Sequence, residues 1–527
     1  MAIVHNPILS GFNPDPSIVQ VNGQYIIATS TFEWFPGIQL HRSFDLVSWE
    51  LVARPLKRKS QLDLLGVGDS CGVWAPCLSY HEGVYYLIYS NVKNFDGVWK
   101  DTPNYLITTE DPFGDWSDPI FIDASGFDGS LFHDDDGRKW YLSLLLDHRE
   151  GKLFGGIMQQ EYDPVNQCLI GSRKLIFSGS EIGITEGPHL YKHNGYYYLL
   201  TAEGGTEYGH AVTIARSRNI EGPYLVHPDN PIISSREVPS HPIQKAGHGD
   251  LFQTPEGDWL AVFLGARPVA KTQYCTLGRE TFIKKIEWRE GWPYAVNGPL
   301  PESAIEISGN AEKGSDATMH ITRFEEEHWP IEFQTLRDLP SEDWISLRDR
   351  KSSLRLTGRE SLSSLHRQSL LARRIQHFNV VCTTRLQFVP KHFQHMSGLI
   401  CYYNTQHWHY LCWTANDRKE TRLEVLSCDQ GKVSKRGKID LGRTASHLEM
   451  RVRYDQLRIQ FEFATEDGLW SKIGPTLEGH ILSDDYVQHA SGKYRAAFTG
   501  AFIGLCCQDL TGHGLPSYFD YFQYRGT

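Results

Sequence analysis

The chain has 527 residues, a formal net charge of −11, and hydrophobic and aromatic fractions of 40% and 12% that are typical of a folded globular protein. This length exceeds what a single hydrophobic core supports, so we expect two or three domains. The acidic balance argues against nucleic acid as a partner, and the basic clusters at 57–59 and 373–374 are interpreted as solvated loops.

No segment indicates export or a membrane. The first residues, MAIVHNP, lack the basic and apolar regions of a secretory signal, and no apolar run approaches the ~20 residues of a membrane span. The ten cysteines show neither a CxxC motif nor the spacing of a disulfide framework. We therefore expect a cytoplasmic protein with reduced thiols that binds no membrane.

Five stretches in the first part of the chain begin alike. They read DPSI, APCL, DGSL, GPHL and HGDL, and each is followed eight or nine residues later by a glycine and then an aromatic residue. Their first residues are Asp15, Ala75, Asp128, Gly187 and His248. The period of about 50 to 60 residues leaves room for four short strands, which predicts a five-bladed β-propeller over 1–307. If each stretch is an innermost strand, its first residue faces the central channel.

The rest of the chain has a different pattern. The segment 308–320 is small and polar, without strand or helix periodicity, and is predicted to be a linker. Residues 321–527 again contain runs of alternating polarity, for example at 354–357, 380–388 and 448–454. Such alternation suits two packed antiparallel sheets, so the second domain is predicted to be a β-sandwich and the whole chain all-β.

Three carboxylates fall in the repeat register. Asp15 lies between two prolines that hold the backbone extended, Asp128 opens the third repeat, and Glu186 directly precedes the fourth. Taken singly, Asp15 could instead order an Asx-turn and Glu186 could be a surface residue, whereas the acidic run at 134–136 is interpreted as a solvated hairpin. Around one channel the three would repel one another, which raises the pKa of at least one.

Carboxyl groups in two protonation states are what glycosidic hydrolysis requires, one as general acid and the other as base or nucleophile. The competing use of an oxygen-rich cluster is calcium binding, for which His248 would be an unusual ligand, although it could orient a bound water. We therefore expect that no cofactor is required and assign no metal ligands, and we keep calcium on the propeller axis as an alternative.

Aromatic residues near the repeat starts support a sugar pocket. Phe32, Trp34 and Trp74 could present flat apolar rings to the channel mouth, or they could fill gaps between blades. Arg279 could lower the pKa of a nearby acid and donate hydrogen bonds to hydroxyls, or it could form an ordinary salt bridge with Glu280.

Several motifs resemble those of the β-xylosidases of glycoside hydrolase family 43. They are NPDPS at 13–17, STFEWFPG at 30–37, WAP at 74–76, SLFHDDDG at 130–137, TEGPHL at 185–190, AGHGD at 246–250 and LGRET at 277–281. FTGAFIG at 498–504 and FDYF at 519–522 extend the resemblance to the C-terminal domain, for which it implies a concanavalin-like sandwich.

The resemblance implies an inverting mechanism. In it, Asp15 is the general base, Glu186 the general acid, and Asp128 the group that modulates the acid's pKa and orientation. Inversion requires room for a water molecule, so the carboxyls of Asp15 and Glu186 should lie about 6.5 to 9.5 Å apart. Arg279 would contact the hydroxyls of the terminal sugar.

The resemblance also implies the walls of the pocket. Phe32 and Trp74 would flank the sugar, and His248 would lie beneath it on the channel axis. Phe498 or Phe502 would reach across from the sandwich and close the far side, which favours exo-cleavage of single terminal residues.

Two positions depart from the family pattern. Leu146 stands where a tryptophan is expected, which predicts a wider or weaker site for the leaving group. Gly129 follows the modulator aspartate where a proline is expected, and glycine should loosen the backbone under Asp128.

The leading hypothesis is an exo-β-1,4-xylosidase that acts on short xylo-oligosaccharides. An α-L-arabinofuranosidase or a bifunctional enzyme is the first alternative, because the two sugars present similar hydroxyls. A non-catalytic sugar-binding protein is the second, since propellers and lectin-like sandwiches often serve as binding modules. The resemblance favours a homodimer or homotetramer, although nothing in the sequence locates an interface.

Overall fold

The computed structural model describes residues 2–151, 153–309, 319–326, 328–442 and 447–527. The first domain consists of five antiparallel sheets that follow one another along the chain, here called blades 1 to 5. The innermost strand of each blade overlaps one of the five repeat stretches. The predicted five-bladed propeller is therefore confirmed.

The strands of each blade follow in chain order from the channel outward. Blade 1 contains Ser17–Val21, Gln24–Thr29, Gln39–Ser43 and Glu50–Ala53, and blade 2 contains Gly72–His81, Val84–Val92, Asn104–Thr109 and Ile120–Asp123. Blade 3 contains Ser130–His133, Lys139–Leu146, Phe154–Asp163 and Cys168–Phe177. Blade 4 contains Glu186–His193, Tyr196–Glu203, Ala211–Ser217, Leu225–Val226 and Ile233–Ser234. Blade 5 contains Gln244–Gln253, Trp259–Ala266, Glu280–Arg289 and Trp292–Ala295, and a separate ribbon pairs Ala2–His5 with Ala304–Ile307.

The first residue of every repeat stretch has a left-handed backbone. The φ angle is 55° at Asp15, 34° at Ala75, 56° at Asp128, 58° at Gly187 and 38° at His248. Only one of the five is glycine, so the conformation costs on the order of 1 kcal/mol at each of the others. The shared kink shows that the repeat positions are equivalent in structure as well as in sequence.

Side chains of neighbouring blades hold three of these kinks. The backbone N–H of Ala75 donates to Ser30 Oγ at 2.8 Å, and that of Asp128 donates to Ser90 Oγ at 3.3 Å. The N–H of Gly187 donates to the Asp128 carboxylate at 3.1 Å. In each case the acceptor belongs to the preceding repeat, so hydrogen bonds tie successive blades together around the channel.

The second domain is a sandwich of two eight-stranded sheets, as predicted. One sheet contains Met319–Thr322, Ile345–Ser346, Leu354–Thr357, Asn379–Gln387, Leu448–Asp455, Arg458–Ala464, Ser471–Glu478 and Pro516–Gly526. The other contains Gln334–Leu336, Ser369–Arg374, His395–Asn404, His407–Ala415, Thr421–Asp429, Lys432–Gly442, Phe502–Asp509 and one strand from the propeller. Helical segments are short: Arg149–Gly151, Gly479–Leu482 and Asp484–His489.

Most of the predicted linker at 308–320 lies outside the described residues, because 310–318 are not described. Met319 and His320, at its end, already belong to the strand Met319–Thr322, which pairs with Pro516–Gly526. In the described parts of the chain, no helix is long and apolar enough to cross a membrane.

The two domains share a sheet. Trp34–Phe35 of the propeller pairs with Gln334–Leu336 of the sandwich, and the Trp34 ring stacks on Phe502 with centroids 3.9 Å apart. Trp34 therefore neither faces the channel mouth nor fills a gap between blades, the two roles weighed from sequence. It joins the domains, so the sandwich is a fixed part of the propeller's surroundings.

The interpretation of Arg373 and Arg374 as a solvated loop was wrong, and that of the acidic run at 134–136 was wrong for Asp134, although Asp135 and Asp136 are exposed in the turn. Arg373 and Arg374 are buried, and Arg374 Nε donates to the carbonyl of Phe12 in the propeller at 2.6 Å. Asp134, assigned to a solvated hairpin, is also buried and accepts hydrogen bonds from Lys192 and Tyr197. The partners of these residues lie far away in sequence, so local composition gave no sign of their burial.

Candidate active site

A cavity of about 630 Å³ lies between the channel end of the propeller and the sandwich. Blades 2, 3 and 4 and the sandwich segment 494–498 all contribute to its lining. Eight of the residues selected from sequence line it: Asp15, Phe32, Trp74, Asp128, Glu186, His248, Arg279 and Phe498.

Phe502 does not line this cavity, which corrects the expectation that it would close the pocket. Its side chain is fully buried, since it begins the strand Phe502–Asp509 and packs on Trp34 at the domain interface. Phe498 lies before that strand and reaches the cavity instead.

The carboxylate of Asp15 is buried among groups that favour its charged form. Arg279 Nη1 lies 3.1 Å from Asp15 Oδ1, and Ser30 Oγ donates to Oδ2 at 2.6 Å. Burial alone would raise the pKa of Asp15, but Arg279, His248 and Ser30 more than offset it and leave the pKa below its usual value. Asp15 is therefore ionised at neutral pH.

Arg279 does not form the ordinary salt bridge considered from sequence. Glu280 pairs with Arg267 at 2.7 Å, whereas the Arg279 guanidinium lies over the rings of Phe32 and Phe498 at 5.4 and 5.2 Å. The arginine is thus held between an acid and two aromatic walls of the cavity.

His248 lies beside Asp15, with its Nδ1 atom 3.6 Å from Oδ1. Burial lowers the pKa of His248 to about 4, so the imidazole is neutral near pH 7 and Arg279 is the cation that stabilises ionised Asp15. A Cβ atom at position 187 would lie 2.9 Å from His248 Nε2, and φ there is positive. Glycine at 187 therefore lets blade 4 pass close to the imidazole.

Glu186 and Asp128 have the opposite electrostatic environment. Burial, and then the charge of Asp15, raise the pKa of Glu186, although Arg279 partly opposes them. Burial, followed by Glu186 and Asp15, raises the pKa of Asp128 well above its usual value. Glu186 lines the cavity, and its buried Oε1 atom has no hydrogen-bond partner among the described residues. A protonated carboxyl with a free oxygen is equipped to donate a proton to a bound molecule.

Aromatic rings surround these acids. Phe32 lies 5.8 Å from both Trp74 and Phe498, and Trp74 lies 5.4 Å from Phe127 in an edge-to-face contact. Ser70 connects the walls, because its carbonyl accepts from Trp74 Nε1 at 3.0 Å and its hydroxyl accepts from the Phe498 N–H at 3.1 Å. The inner cavity therefore combines polar groups with flat apolar faces, as a sugar ring requires.

Sequence reasoning missed several lining residues. Phe127 directly precedes the first residue of its repeat, as Trp74 does, so the repeat register could have identified it. Phe95, Phe154 and Tyr494 also line the cavity but come from loops or strand ends outside the repeat stretches. No local pattern distinguishes them from ordinary packing residues.

The two departures from the family pattern have visible consequences. Leu146 pairs with Phe154 and packs into the apolar cluster behind the cavity, and it is not part of the lining. At Gly129, an added Cβ would lie 2.9 Å from both Ile88 and Tyr141, so the space for a larger residue is occupied. Tight packing, rather than a loosened backbone, surrounds this glycine.

The side chains near the axis bear on the calcium alternative. Calcium takes six to eight oxygen ligands, and among the residues that the structure describes no group of three or more His, Cys, Asp or Glu side chains is arranged to hold a metal ion. The acids in the cavity instead contact Arg279, Ser30 and a backbone amide.

An ionised and a protonated carboxyl in one aromatic-walled cavity at the end of a propeller define the active site of a glycoside hydrolase. Residues 4–293 match the model of glycosyl hydrolases family 43, and residues 322–525 match that of the β-xylosidase C-terminal concanavalin A-like domain. The chain belongs to glycoside hydrolase family 43.

Known relatives resemble the chain over its whole length. A β-xylosidase of Bacillus subtilis (strain 168) is 46% identical and covers 99% of both chains, and xylosidase/arabinosidase 43B of Humicola insolens is 45% identical and covers 100% of this chain and 98% of its own. The crystal structure of xylan β-1,4-xylosidase from Bacillus halodurans C-125 superposes with a TM-score of 0.94 at 44% identity, covering 99% of this chain and 100% of the other.

Proposed function

We propose that the protein is an exo-acting β-1,4-xylosidase that releases xylose from the non-reducing ends of short xylo-oligosaccharides with inversion. The observation that carries this proposal is the opposite electrostatic environment of two carboxyls in one cavity: Asp15 is kept ionised and Glu186 is kept protonated. The names of the Bacillus relatives support xylose as the sugar.

In the proposed reaction, Asp15 removes a proton from a water molecule while the oxygen of that water attacks the anomeric carbon of the terminal xylose. The bond between that carbon and the glycosidic oxygen breaks on the opposite face, and Glu186 donates its proton to the departing oxygen. The products are α-xylose and an oligosaccharide shorter by one residue. Arg279 would bind hydroxyls of the terminal sugar while holding Asp15 ionised.

Asp128 would orient the acid. Its carboxylate accepts the N–H of Gly187, so it holds the backbone directly after Glu186. A second buried acid so close also disfavours a further negative charge, which keeps the proton on the pair until it is transferred.

The position of the sandwich supports exo-cleavage. Tyr494, Ala496 and Phe498 line the cavity from the C-terminal domain, so one side is covered by protein rather than open as a groove. A polysaccharide chain that extended beyond the cavity on both sides of the cleaved bond would clash with this wall. Cleavage of single terminal residues follows from that arrangement.

Arabinofuranosidase activity is the second candidate. The Humicola relative carries both activities in its name. Leu146 itself does not line the cavity, but its strand partner Phe154 does, so Phe154 is the aromatic side chain in this part of the cavity wall. A leaving-group side shaped in this way could accept a branched chain end. A non-catalytic sugar-binding protein is the remaining alternative.

We also propose that the enzyme acts in the cytoplasm, needs no metal, and forms a homodimer or homotetramer. All ten cysteines are free thiols, as expected in a reducing compartment. Unchanged activity after chelation, and sedimentation equilibrium of the purified protein, test the last two points.

The decisive experiment follows xylobiose, and separately an arabinofuranosyl-substituted xylo-oligosaccharide, by proton NMR during the first minutes of reaction. Initial release of α-xylose from xylobiose would support both xylosidase activity and inversion, whereas β-xylose as the first anomer would exclude the assigned mechanism. Release of arabinose with little xylose would establish the second candidate. Binding of both sugars without hydrolysis across a broad pH range would establish a binding protein.

A further inference from the structure

The segment 275–279, which carries Arg279, is clamped to the sandwich domain. The backbone N–H of Cys275 donates to Asp485 Oδ2 at 2.7 Å, and the N–H of Ala501 donates to the carbonyl of Thr276 at 2.9 Å. Gly278 and Gly500 pack so closely that a Cβ atom on Gly500 would lie 2.6 Å from the Gly278 nitrogen. The position of this propeller loop is therefore set by the other domain.

A buried ion pair lies at the centre of this clamp. Lys245 Nζ lies 2.7 Å from Asp485 Oδ1, and the two side chains are 1% and 10% exposed. Lys245 precedes His248 by three residues on the innermost strand of blade 5, whereas Asp485 lies in the helix Asp484–His489 of the sandwich. One carboxylate thus holds two separate parts of blade 5, the strand with Lys245 and the loop that begins at Cys275.

Asp484, the residue before Asp485, holds two parts of the sandwich domain next to the ion pair. Its Oδ1 atom accepts the hydroxyl of Tyr403 at 2.7 Å and the N–H of Gly500 at 2.9 Å. Gly500 directly follows the stretch that brings Phe498 to the cavity. The helix Asp484–His489 therefore contacts both the loop of Arg279 and the segment of Phe498.

Neither Lys245 nor Asp485 lines the cavity, and neither is among the groups that shift the pKa of Asp15 directly. They act on Asp15 only through the residues that they hold. Arg279 and His248, two of the groups beside Asp15, lie on the elements that the Lys245–Asp485 pair connects.

We propose that Lys245 and Asp485 are positioning residues that hold Arg279 against Asp15, so that the sandwich domain sets the charge state of the catalytic base. This inference rests on the proposed function, in which Asp15 is that base. Loss of one partner would leave an unpaired buried charge and release the loop, and a displacement of about 1 Å at a remote support can lower a rate about 100-fold.

The test compares the unaltered enzyme with Lys245→Met, Asp485→Asn and the apolar double variant Lys245→Met/Asp485→Leu. The double variant replaces the ion pair by side chains that can pack together, which often preserves stability. The readouts are the pH profile of kcat/KM on xylobiose and, independently of activity, the distance between the Arg279 guanidinium and Asp15 in crystal structures.

We expect kcat/KM to fall about 10- to 100-fold. The acidic limb of the profile should move to higher pH by roughly 0.5 to 1 unit, because Asp15 loses its cation. The other groups that act on Asp15 are His248, His210, Asp128 and Glu186, and none of them is changed. The crystal structures should show Arg279 beyond hydrogen-bond distance of Asp15.

Arg54→Met serves as the matched control. Arg54 is buried, donates across the domain interface to the carbonyl of Ile331 at 2.9 Å, and does not line the cavity. This variant should lose stability, but the acidic limb of its pH profile should stay at the wild-type position.

Should the double variant fold with Arg279 still within hydrogen-bond distance of Asp15, or should the acidic limb of its pH profile not shift, the inference is overturned. A wild-type protein without any hydrolytic activity would instead count against the proposed function, and the crystal distance would still decide the inference.

Discussion

Asp128 accepts a hydrogen bond at 3.1 Å from the backbone N–H of Gly187, the residue that directly follows Glu186. The contact crosses from the start of blade 3 to the start of blade 4, where both first positions have left-handed backbones. Asp128 therefore supports the backbone that carries Glu186. Its role is in part geometric.

Replacement of Asp128 should separate this geometric role from its charge. Asp128→Asn keeps an oxygen that accepts the Gly187 N–H, whereas Asp128→Ala removes it. We expect kcat on xylobiose to fall about 10-fold for the asparagine variant and at least about 100-fold for alanine. The exposed Asp136→Asn in the next turn is the control and should be unchanged. Equal losses for asparagine and alanine would contradict the geometric role.

Arg279 should control the acidic limb of the pH profile. Because Arg279 lowers the pKa of Asp15, Arg279→Met should raise that pKa, so the base becomes protonated at higher pH and activity is lost earlier as the pH falls. Measurement of kcat/KM between pH 4 and 9 checks this change. Arg267→Met, which removes the partner of Glu280 but no contact with Asp15, should leave the limb in place.

Glu186→Gln should abolish proton donation while keeping the shape of the side chain. We expect a loss of about 10²- to 10⁴-fold on xylobiose, whose leaving group needs a proton. Hydrolysis of β-xylosyl fluoride, whose leaving group needs little protonation, should be reduced far less. Exposed Glu181→Gln is the matched control. Undiminished hydrolysis of xylobiose by the Glu186 variant would exclude its assignment as the acid.

The sequence predicted the architecture because the repeat stretches of the propeller and the alternating polarity of the strands are both visible in short segments of the chain. The five stretches share the spacing from an equivalent first position to a turn glycine and an aromatic residue, and the structure gives all five first positions a left-handed backbone. Eight of the nine predicted site residues line the cavity. The repeat register indicated Asp15, Asp128, Glu186 and His248, whereas Phe32, Arg279 and Phe498 came from the family motifs.

The predictions that the structure corrects concern residues whose contacts join distant parts of the chain. Phe502 and Trp34 meet across the domain interface, and Asp134 finds Lys192 in the next blade. Neither contact leaves a periodic trace in the sequence. The same limitation hid the Lys245–Asp485 pair, whose partners are separated by most of the second domain.

The cavity should reduce the stability of the folded enzyme as the pH rises. Glu186 has a folded pKa of about 8 against an ordinary value of 4.5, so its penalty is absent below the ordinary value and grows as the pH rises toward 8. A tenfold difference in acidity between the folded and unfolded states corresponds to roughly 1.4 kcal/mol. Glu186→Gln should therefore unfold at a higher temperature than the wild type at pH 8 and at nearly the same temperature at pH 4. An equal difference at both pH values would contradict the burial of an acid at this position.

Phe498 and Phe502 offer a matched pair, since the same side chain stands four positions apart with different surroundings. Phe498→Leu removes a ring from the cavity wall and from beneath Arg279, so kcat/KM on xylobiose should fall about 10-fold. Phe502→Leu removes the ring stacked on Trp34 and should lower the free energy of unfolding by about 1 to 3 kcal/mol while kcat/KM stays within about twofold. Denaturant unfolding and initial rates on the same preparations separate the two effects. A loss of activity at Phe502 as large as that at Phe498, with both variants fully folded, would mean that the domain interface transmits its geometry to the sugar site.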